Sequence, residues 1–487
     1  MTLNILYIRF AALVSEKFRV LRGLPRTHRG LFWILVFTLS SRIVVYLIGQ
    51  PWNQDVVSQI LDGDAVVYDR IARAFLGGTS ITDMPWAADR TFGYPFFVTA
   101  IYAISNNAIW LVLAVQSFLN VLMVPMVYWT SKTLFGSQQS GTVAAALFAL
   151  SAIPLAWATR FLFTETLFAF SFLVFVMLYL RAWQTKSFRL FLLLGVLLGI
   201  GTIVRSVLQF FVVIPVLIIL LQDRLIRTKI TLALAVVIGL LVTIAPFQLI
   251  NYSMYGHYSI STISGNVLFR SIAQAKADAD GTTFYEARDS LGWQIWEKKY
   301  PDITYMFDGV VAGHYRENPF DHSAISKRHG IEYLLRRPQE FVTLHALGMV
   351  SFLIGTEKSA YLYVIADQER PELDHPLSYE SFSERIIRNL KDVQREYFLT
   401  PVLLLKLLVE YGFIAGGLLV LVRRKQKAIA LFLVLSIVYF ILVTGFMGRA
   451  PRYKIPILPI YALIGGGGAT LIWAYWQEWR MSRSRGL

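Results

Sequence analysis

The chain has 487 residues, 56% of them hydrophobic and only 16% charged, with a formal charge of +15 and no cysteine. That balance excludes a water-soluble globular protein, which carries more charge, and excludes disulfides and thiolate metal sites. The Lys and Arg surplus sits mostly in short segments beside apolar runs, the positive-inside pattern of a polytopic membrane protein, and so does not point to nucleic acid.

Residues 1–30 are basic and mark the cytoplasmic side, with Arg19, Arg22, Arg26 and Arg29 close together. Leu31–Gly49 is the first predicted span, and Arg42 lies roughly 10 Å from its outer end. Residues 50–108 form an external loop. Within it, Asp62, Asp64 and Asp69 fall close together in a charge-poor chain. From Asp64 the pattern is a short amphipathic helix, with Val67, Ile71 and Phe75 on one face and Tyr68 one turn from Asp64. Asp64 is its expected N-cap, and Gly77-Gly78 its stop. Gly93–Ile104 is apolar but too short to cross roughly 30 Å of hydrocarbon, so it is expected on the outer surface.

Further spans are expected at Ile109–Thr130, Thr142–Trp157 and Phe163–Leu180, with Arg160 and Glu165 in a short outer connection. Leu190–Leu221 would measure roughly 48 Å as one helix, too long for one crossing. It is divided at Gly201, Thr202 and Arg205, which puts Arg205 at an outer tip. After Ile230–Gln248 comes a large, mostly external segment, 251–400, rich in Tyr and Trp, with a membrane-dipping stretch near 341–355. Residues 401–487 hold the last spans, Leu403–Val422, Ala428–Phe446 and Pro456–Trp476, and a basic cytoplasmic tail. The division is therefore a basic N-terminus (1–30), a membrane module (31–250), the external segment and the C-terminal helices.

This topology gathers Arg42, Asp62, Asp64, Asp69, Arg90, Arg160, Glu165, Arg205, Arg449, Arg452 and Lys454 on one outer face. Cations there run against the orientation rule, and charge at the membrane boundary faces a cavity or a partner. Cations beside a carboxylate suit a lipid phosphate next to a general base. The plainer readings are capping for Asp64, solvation for Asp62 and Asp69, and snorkelling or headgroup contact for Arg42, Arg160 and Arg205. No His-based zinc spacing, P-loop or nucleophile elbow occurs. The four glycines Gly465–Gly468 lie within a span and read as a close helix contact.

The run Asp64-Ala-Val-Val-Tyr68-Asp-Arg-Ile71-Ala72-Arg73 resembles the first-loop motif of the GT-C membrane glycosyltransferases, the branch of the protein O-mannosyltransferases and the lipid A aminoarabinose transferase. Five further stretches resemble that family's motifs in the same order. They are Arg90 through Tyr94-Pro95, Thr159-Arg160 through Glu165, Gly199–Arg205, Asn251 through Asn266, and Arg452-Tyr453 to Pro456. Two positions depart: Ala65 replaces the family's Glu, and Ile250 the Arg before Asn251. The resemblance implies an all-α polytopic membrane protein, a GT-C-type bundle of about ten or eleven transmembrane helices with external juxtamembrane helices. It implies an inverting transferase that moves a sugar from a polyprenyl-phosphate donor to a hydroxyl of a glycan, lipid or protein. No cofactor is expected, a divalent metal at the external acidic loop being the less favoured alternative. Asp64 would be the base. Arg90, Arg160, Arg205, Arg452, Lys454, Tyr68, Tyr94, Asp62, Asp69 and Glu165 would contact the substrates. The expected location is a bacterial inner membrane with the site on the periplasmic face. A polyprenyl-linked oligosaccharide ligase or polymerase, or a lipid flippase, is the alternative; a transporter would show internal repeats, and none is evident.

Overall fold

The computed structural model describes residues 29–61, 63–288, 290–291, 318–365, 399–445 and 451–484, and the regular structure among them is all helical. Helix α1 (Arg29–Ile48) is followed by the short α2 (Gln54–Ile60) and α3 (Asp64–Leu76) and by 3-10 turns at Ile81–Asp83 and Pro85–Asp89. Next come α4 (Gly93–Ser105), α5 (Ile109–Phe135), α6 (Gln138–Ala149), α7 (Ala152–Arg160) and α8 (Glu165–Thr185). Helix α9 (Phe188–Val204), a 3-10 turn (Ser206–Val212), α10 (Val213–Leu220) and α11 (Ile226–Tyr255) continue the bundle. The large polar segment contributes α12 (Ile263–Asp280), α13 (Phe284–Arg288) and α14 (Pro319–Arg336). The chain then forms α15 (Pro338–Ile354), α16 (Lys358–Ile365), α17 (Leu399–Arg423), α18 (Lys427–Thr444), a 3-10 turn (Pro451–Ile457) and α19 (Leu458–Ser484).

Among the described residues, seven helices are long and apolar enough to cross a membrane, or eight if the bent pair α6–α7 is one span. The protein is thus an integral, multi-pass membrane protein. Three shorter apolar helices among the same residues, Gly93–Ser105, Phe188–Val204 and Ser206–Leu220, accompany the longer ones. Thr142–Trp157 is not the continuous span expected from its apolarity. It breaks between Ala149 and Ala152, with a bend of 54°. Pro154 explains the break: in a continuous helix its ring would strike the Leu150 carbonyl, and it has no N–H to donate. By contrast, the interruption expected at Arg205 is present, where the backbone is extended between α9 and the following 3-10 turn.

Two packing features hold the ends of these helices in place. On α8, Phe168, Phe172, Phe175 and Tyr179 recur at helical spacing and form an aromatic ladder against Phe211, Phe432 and Phe440. The ladder fixes α8, whose first residue is Glu165. The tetraglycine of α19 works by close approach, as the sequence indicated. A Cβ on Gly466 would lie 2.2 Å from the Ser140 carbonyl, and one on Gly468 2.2 Å from that of Phe413. Helix α19 therefore sits tightly between α6 and α17, and the 3-10 turn before it, which carries Arg452, is held at one end of the bundle.

Candidate active site

Helix α3 begins at Asp64, and its apolar face is the one the sequence outlined. Ile71 is fully buried with Met84, Ala87 and Phe92, and Val67 and Phe75 pack against them. The helix ends at Leu76, with Gly77 as its C-cap. The N-cap, however, is Gly63, without a side-chain cap hydrogen bond. Asp64 is one residue inside the helix. Its carboxylate turns to other elements, and the capping role expected for it is corrected.

Oδ1 of Asp64 accepts a hydrogen bond of 2.5 Å from Nη2 of Arg90. Oδ2 lies 3.7 Å from Nη1 of Arg452, beyond hydrogen-bond length, and the side chain keeps 29% of its surface exposed. Nη1 of Arg90 donates to Asp89 at 2.7 Å, so this guanidinium bridges two carboxylates. On the neighbouring helix ends, Arg205 donates to Glu165 at 2.8 Å, and Nε of Arg452 lies 3.8 Å from the same Glu165 oxygen. Three arginines and three carboxylates, Asp64, Asp89 and Glu165, thus form one connected group, which α3, the turn before α4, α8, α9 and the turn before α19 supply. Burial pushes the Asp64 carboxyl up, but Arg90, Arg452, Arg270 and Arg205 together outweigh it and hold Asp64 below the ordinary carboxylate value. The group is therefore an anion at neutral pH. The Tyr68 ring lies 6.0 Å from the Arg90 guanidinium and edge-on to Tyr94 at 5.0 Å. Burial pushes its hydroxyl up, so it stays protonated.

The remaining residues singled out in the sequence divide. Asp69 faces away from this group: Tyr102 donates to one oxygen at 2.6 Å and Arg73 to the other at 2.8 Å. Tyr94 is fully buried behind Tyr68, and its hydroxyl donates to Gln116 at 2.7 Å. Lys454 turns to the Gly355 carbonyl. Arg160 lies over the Tyr363 ring at 5.6 Å, and its Nε and Nη2 are buried without a partner among the described residues. Arg42 does not snorkel. It is 1% exposed inside the bundle, bonded to Asn120 at 3.0 Å and to the Ala149 carbonyl at 3.2 Å. Asp62 and Arg449 lie outside the described residues. The convergence expected of Arg90, Arg160, Arg205, Arg452 and Lys454 is therefore partial. Lys454 is bonded to the Gly355 carbonyl instead, and Arg160 lies over the Tyr363 ring.

Two members of the site carried no clear sequence signal. Asp89 holds the far side of Arg90, and the Thr262 amide donates to the adjacent Ala88 carbonyl at 2.9 Å. Arg270, on α12, contributes to the field at Asp64. The turn Pro85–Asp89 packs against α14, so the polar segment reaches the site through that turn. No group of three or more His, Asp or Glu that could hold a metal ion occurs among the described residues.

Residues 89–248 match the family model described as dolichyl-phosphate-mannose-protein mannosyltransferase. The matched stretch includes Arg90, Arg160, Glu165 and Arg205 and leaves out Asp64 and Arg452. It covers 160 of the 487 residues and takes in three of the motif stretches, Arg90 through Tyr94-Pro95, Thr159-Arg160 through Glu165, and Gly199–Arg205. A search of the curated proteins gives no significant match. Among solved structures, the apo oligosaccharyltransferase of Archaeoglobus fulgidus is similar, with 12% identity and a TM-score of 0.49 over 94% of this chain and 52% of that one. The archaeal oligosaccharyltransferase AglB from Archaeoglobus fulgidus, in complex with an inhibitory peptide and a dolichol-phosphate, gives 12% identity and a TM-score of 0.45 over 93% and 51%. The chain spans about half the length of these proteins.

Proposed function

We propose that the protein is an inverting glycosyltransferase that moves a hexose or pentose from a polyprenyl-phosphate donor to a hydroxyl of a glycan, lipid or protein acceptor. The proposed location is the outer face of a bacterial cytoplasmic membrane. The observation that carries this reading is the Asp64 carboxylate, ionised and partly open, with Arg90, Arg452 and Arg205 around it. Oδ1 is fixed by Arg90, which leaves Oδ2 for the acceptor. In the reaction, Oδ2 takes the proton of the acceptor hydroxyl as its oxygen attacks the anomeric carbon. The bond from that carbon to the phosphate oxygen breaks, and its electron pair leaves with the phosphate. One displacement inverts the centre. The phosphate departs as an anion and needs no acid; Arg452 and Arg205 stabilise its growing charge, a task suited to the guanidinium fork.

The family description of residues 89–248 supports the same donor class. The test is transfer by the purified protein from a synthetic polyprenyl-phosphate sugar to a panel of hydroxyl acceptors, with the product anomer read by NMR. Retention of configuration, or movement of the lipid across vesicles without transfer, would overturn the reading.

A further inference from the structure

The break between α6 and α7 lies inside the membrane-spanning bundle, about 18 Å along α6 from Gln138. Backbone groups freed at such a depth need partners. At the end of α6, the Ala149 carbonyl accepts from Arg42 at 3.2 Å, and the Leu150 carbonyl from the Tyr361 hydroxyl at 2.7 Å. At the start of α7, the Ser151 hydroxyl and the Ala152 amide donate to the two oxygens of Glu357, the amide at 2.7 Å. A cation thus meets the carbonyl end of one half-helix and an anion the amide end of the other, the favourable sign at each. Glu357 is 7% exposed and Ser151 4%.

Glu357 does more than satisfy the break. Nζ of Lys406, on α17, lies 3.2 Å from the same oxygen that takes the Ala152 amide, and Lys406 also meets Glu410 at 3.0 Å. Two residues before Glu357, the Gly355 carbonyl accepts from Lys454, which shares a 3-10 turn with Arg452. At the far end of α7, Tyr363 stacks on Phe161 at 5.3 Å and lies under Arg160. Four residues after Phe161 the chain reaches Glu165, the partner of Arg205 and Arg452.

We propose that Glu357 is a positioning residue, and that residues 355–363 act as a splint along α7 that sets Glu165 and Arg452 against Asp64. This rests on the glycosyl-transfer reading for its effect on turnover, but not for its effect on geometry. Glu357 touches none of the reacting groups. It acts through α7, which leads to Glu165, and through Gly355, which holds Lys454 beside Arg452.

Two measurements test it. First, Glu357→Gln keeps the shape and loses the charge, and Glu357→Ala removes the contact. Per folded molecule, kcat should fall by about 10-fold for the first and about 100-fold for the second, the scale of an ångström misplacement, with the acceptor KM unchanged. Glu357→Asp should recover part of the loss. A purely stabilising residue would instead lower the yield and leave turnover per folded molecule intact, and that result overturns the proposal. Second, the chain has no cysteine. Thr164→Cys therefore gives a single thiol in the connection to Glu165, at a position 5% exposed. A water-soluble maleimide should label it about tenfold faster in the Glu357→Ala background, as expected for local opening. Ser436→Cys, fully buried in α18, should stay protected and serves to detect global unfolding. Unchanged labelling at Thr164→Cys overturns the splint whether or not transfer is detected, while loss of transfer activity in the parent protein would bear only on the glycosyl-transfer reading. If Glu357→Ala fails to fold, Tyr361→Phe, which removes only the bond to the Leu150 carbonyl, should produce a smaller rise in labelling, and its absence counts equally against the proposal.

Discussion

Arg452 stands 3.7 Å from Asp64, although the two come from opposite ends of the chain. The contact closes only when α19 has docked through its tetraglycine and α3 has packed on the turn that carries Arg90. The site is a product of the whole bundle. Its pieces are helix ends, where a side chain can reach past its own helix toward a neighbour.

Asp64→Asn should abolish transfer while leaving the fold intact. Asn keeps an oxygen for Arg90 but takes no proton at neutral pH, and a general base contributes ~10²–10⁴-fold. Because Gly63 and not Asp64 caps α3, loss of capping cannot account for the result. Asp69→Asn weakens the bonds to Tyr102 and Arg73, so it should lower stability by about 1–3 kcal/mol with turnover per folded molecule preserved. The measurement is the initial rate of sugar transfer, normalised to folded protein. A dead Asp69→Asn beside an active Asp64→Asn would reassign the base.

The pH dependence of turnover should report the arginines around Asp64. Its carboxyl is held below the ordinary value, about 3.9, because the cations outweigh burial. Activity that needs the anion is therefore present above that value and lost only as pH falls through the lower folded-state one. Arg90→Gln removes the nearest cation and leaves burial less opposed. The acid limb of the kcat/KM profile should move to higher pH in this variant. A limb that stays in place would mean that another group controls it.

How much of this was legible in the sequence depends on what kind of signal each part carries. Long apolar spans, the amphipathic face of α3 and the interruption at Arg205 follow from periodicity and length, and the structure has them. The break between α6 and α7 is hidden by the apolarity of Thr142–Trp157, and Pro154 is the residue in that stretch that signals it. Side-chain direction carries no such periodic signal. Asp64 and Asp69 look alike in sequence, yet they are more than one helical turn apart and point to different neighbours. Asp89 precedes Arg90 and reads as an ordinary loop acid until the turn brings both carboxylates to one guanidinium. Glu357 sits in a polar stretch with no helical pattern, and only the location of Ser151 and Ala152 gives it a task.

Glu165→Gln should cost stability that an added phosphate restores. Its carboxylate is the anion shared by Arg205 and Arg452. Removing one partner from a buried pair costs about 3–5 kcal/mol, and roughly 2–3 is expected here because Arg205 keeps 23% of its side-chain surface. A bound phosphate supplies the missing negative charge and favours the folded state by mass action. The melting temperature of the variant should fall, then rise on addition of polyprenyl phosphate by more than that of the parent protein. Equal shifts in both proteins would place the lipid phosphate away from these arginines.

Gly93→Ala should separate the position of Arg90 from its charge. Gly93 begins α4 against the end of α9, and a Cβ there would lie 2.8 Å from the backbone of Ile203 and Val204. Those atoms are main chain, so α4 must back away from α9. Overpacking of this kind costs about 1–3 kcal/mol. The same shift would strain the hydrogen bond from Thr91 to the Val204 carbonyl, 3.1 Å long, and carry Arg90 with it. Arg90 would keep its charge and lose its fit to Asp64, so transfer should fall by about 10- to 100-fold in a protein that still folds. Unlike Arg90→Gln, this variant should leave the acid limb of the pH profile close to its original place, because the cation remains near. Full activity with lowered stability would mean that α4 and α9 move apart without disturbing Arg90, and that the contact between Gly93 and Ile203 serves packing alone.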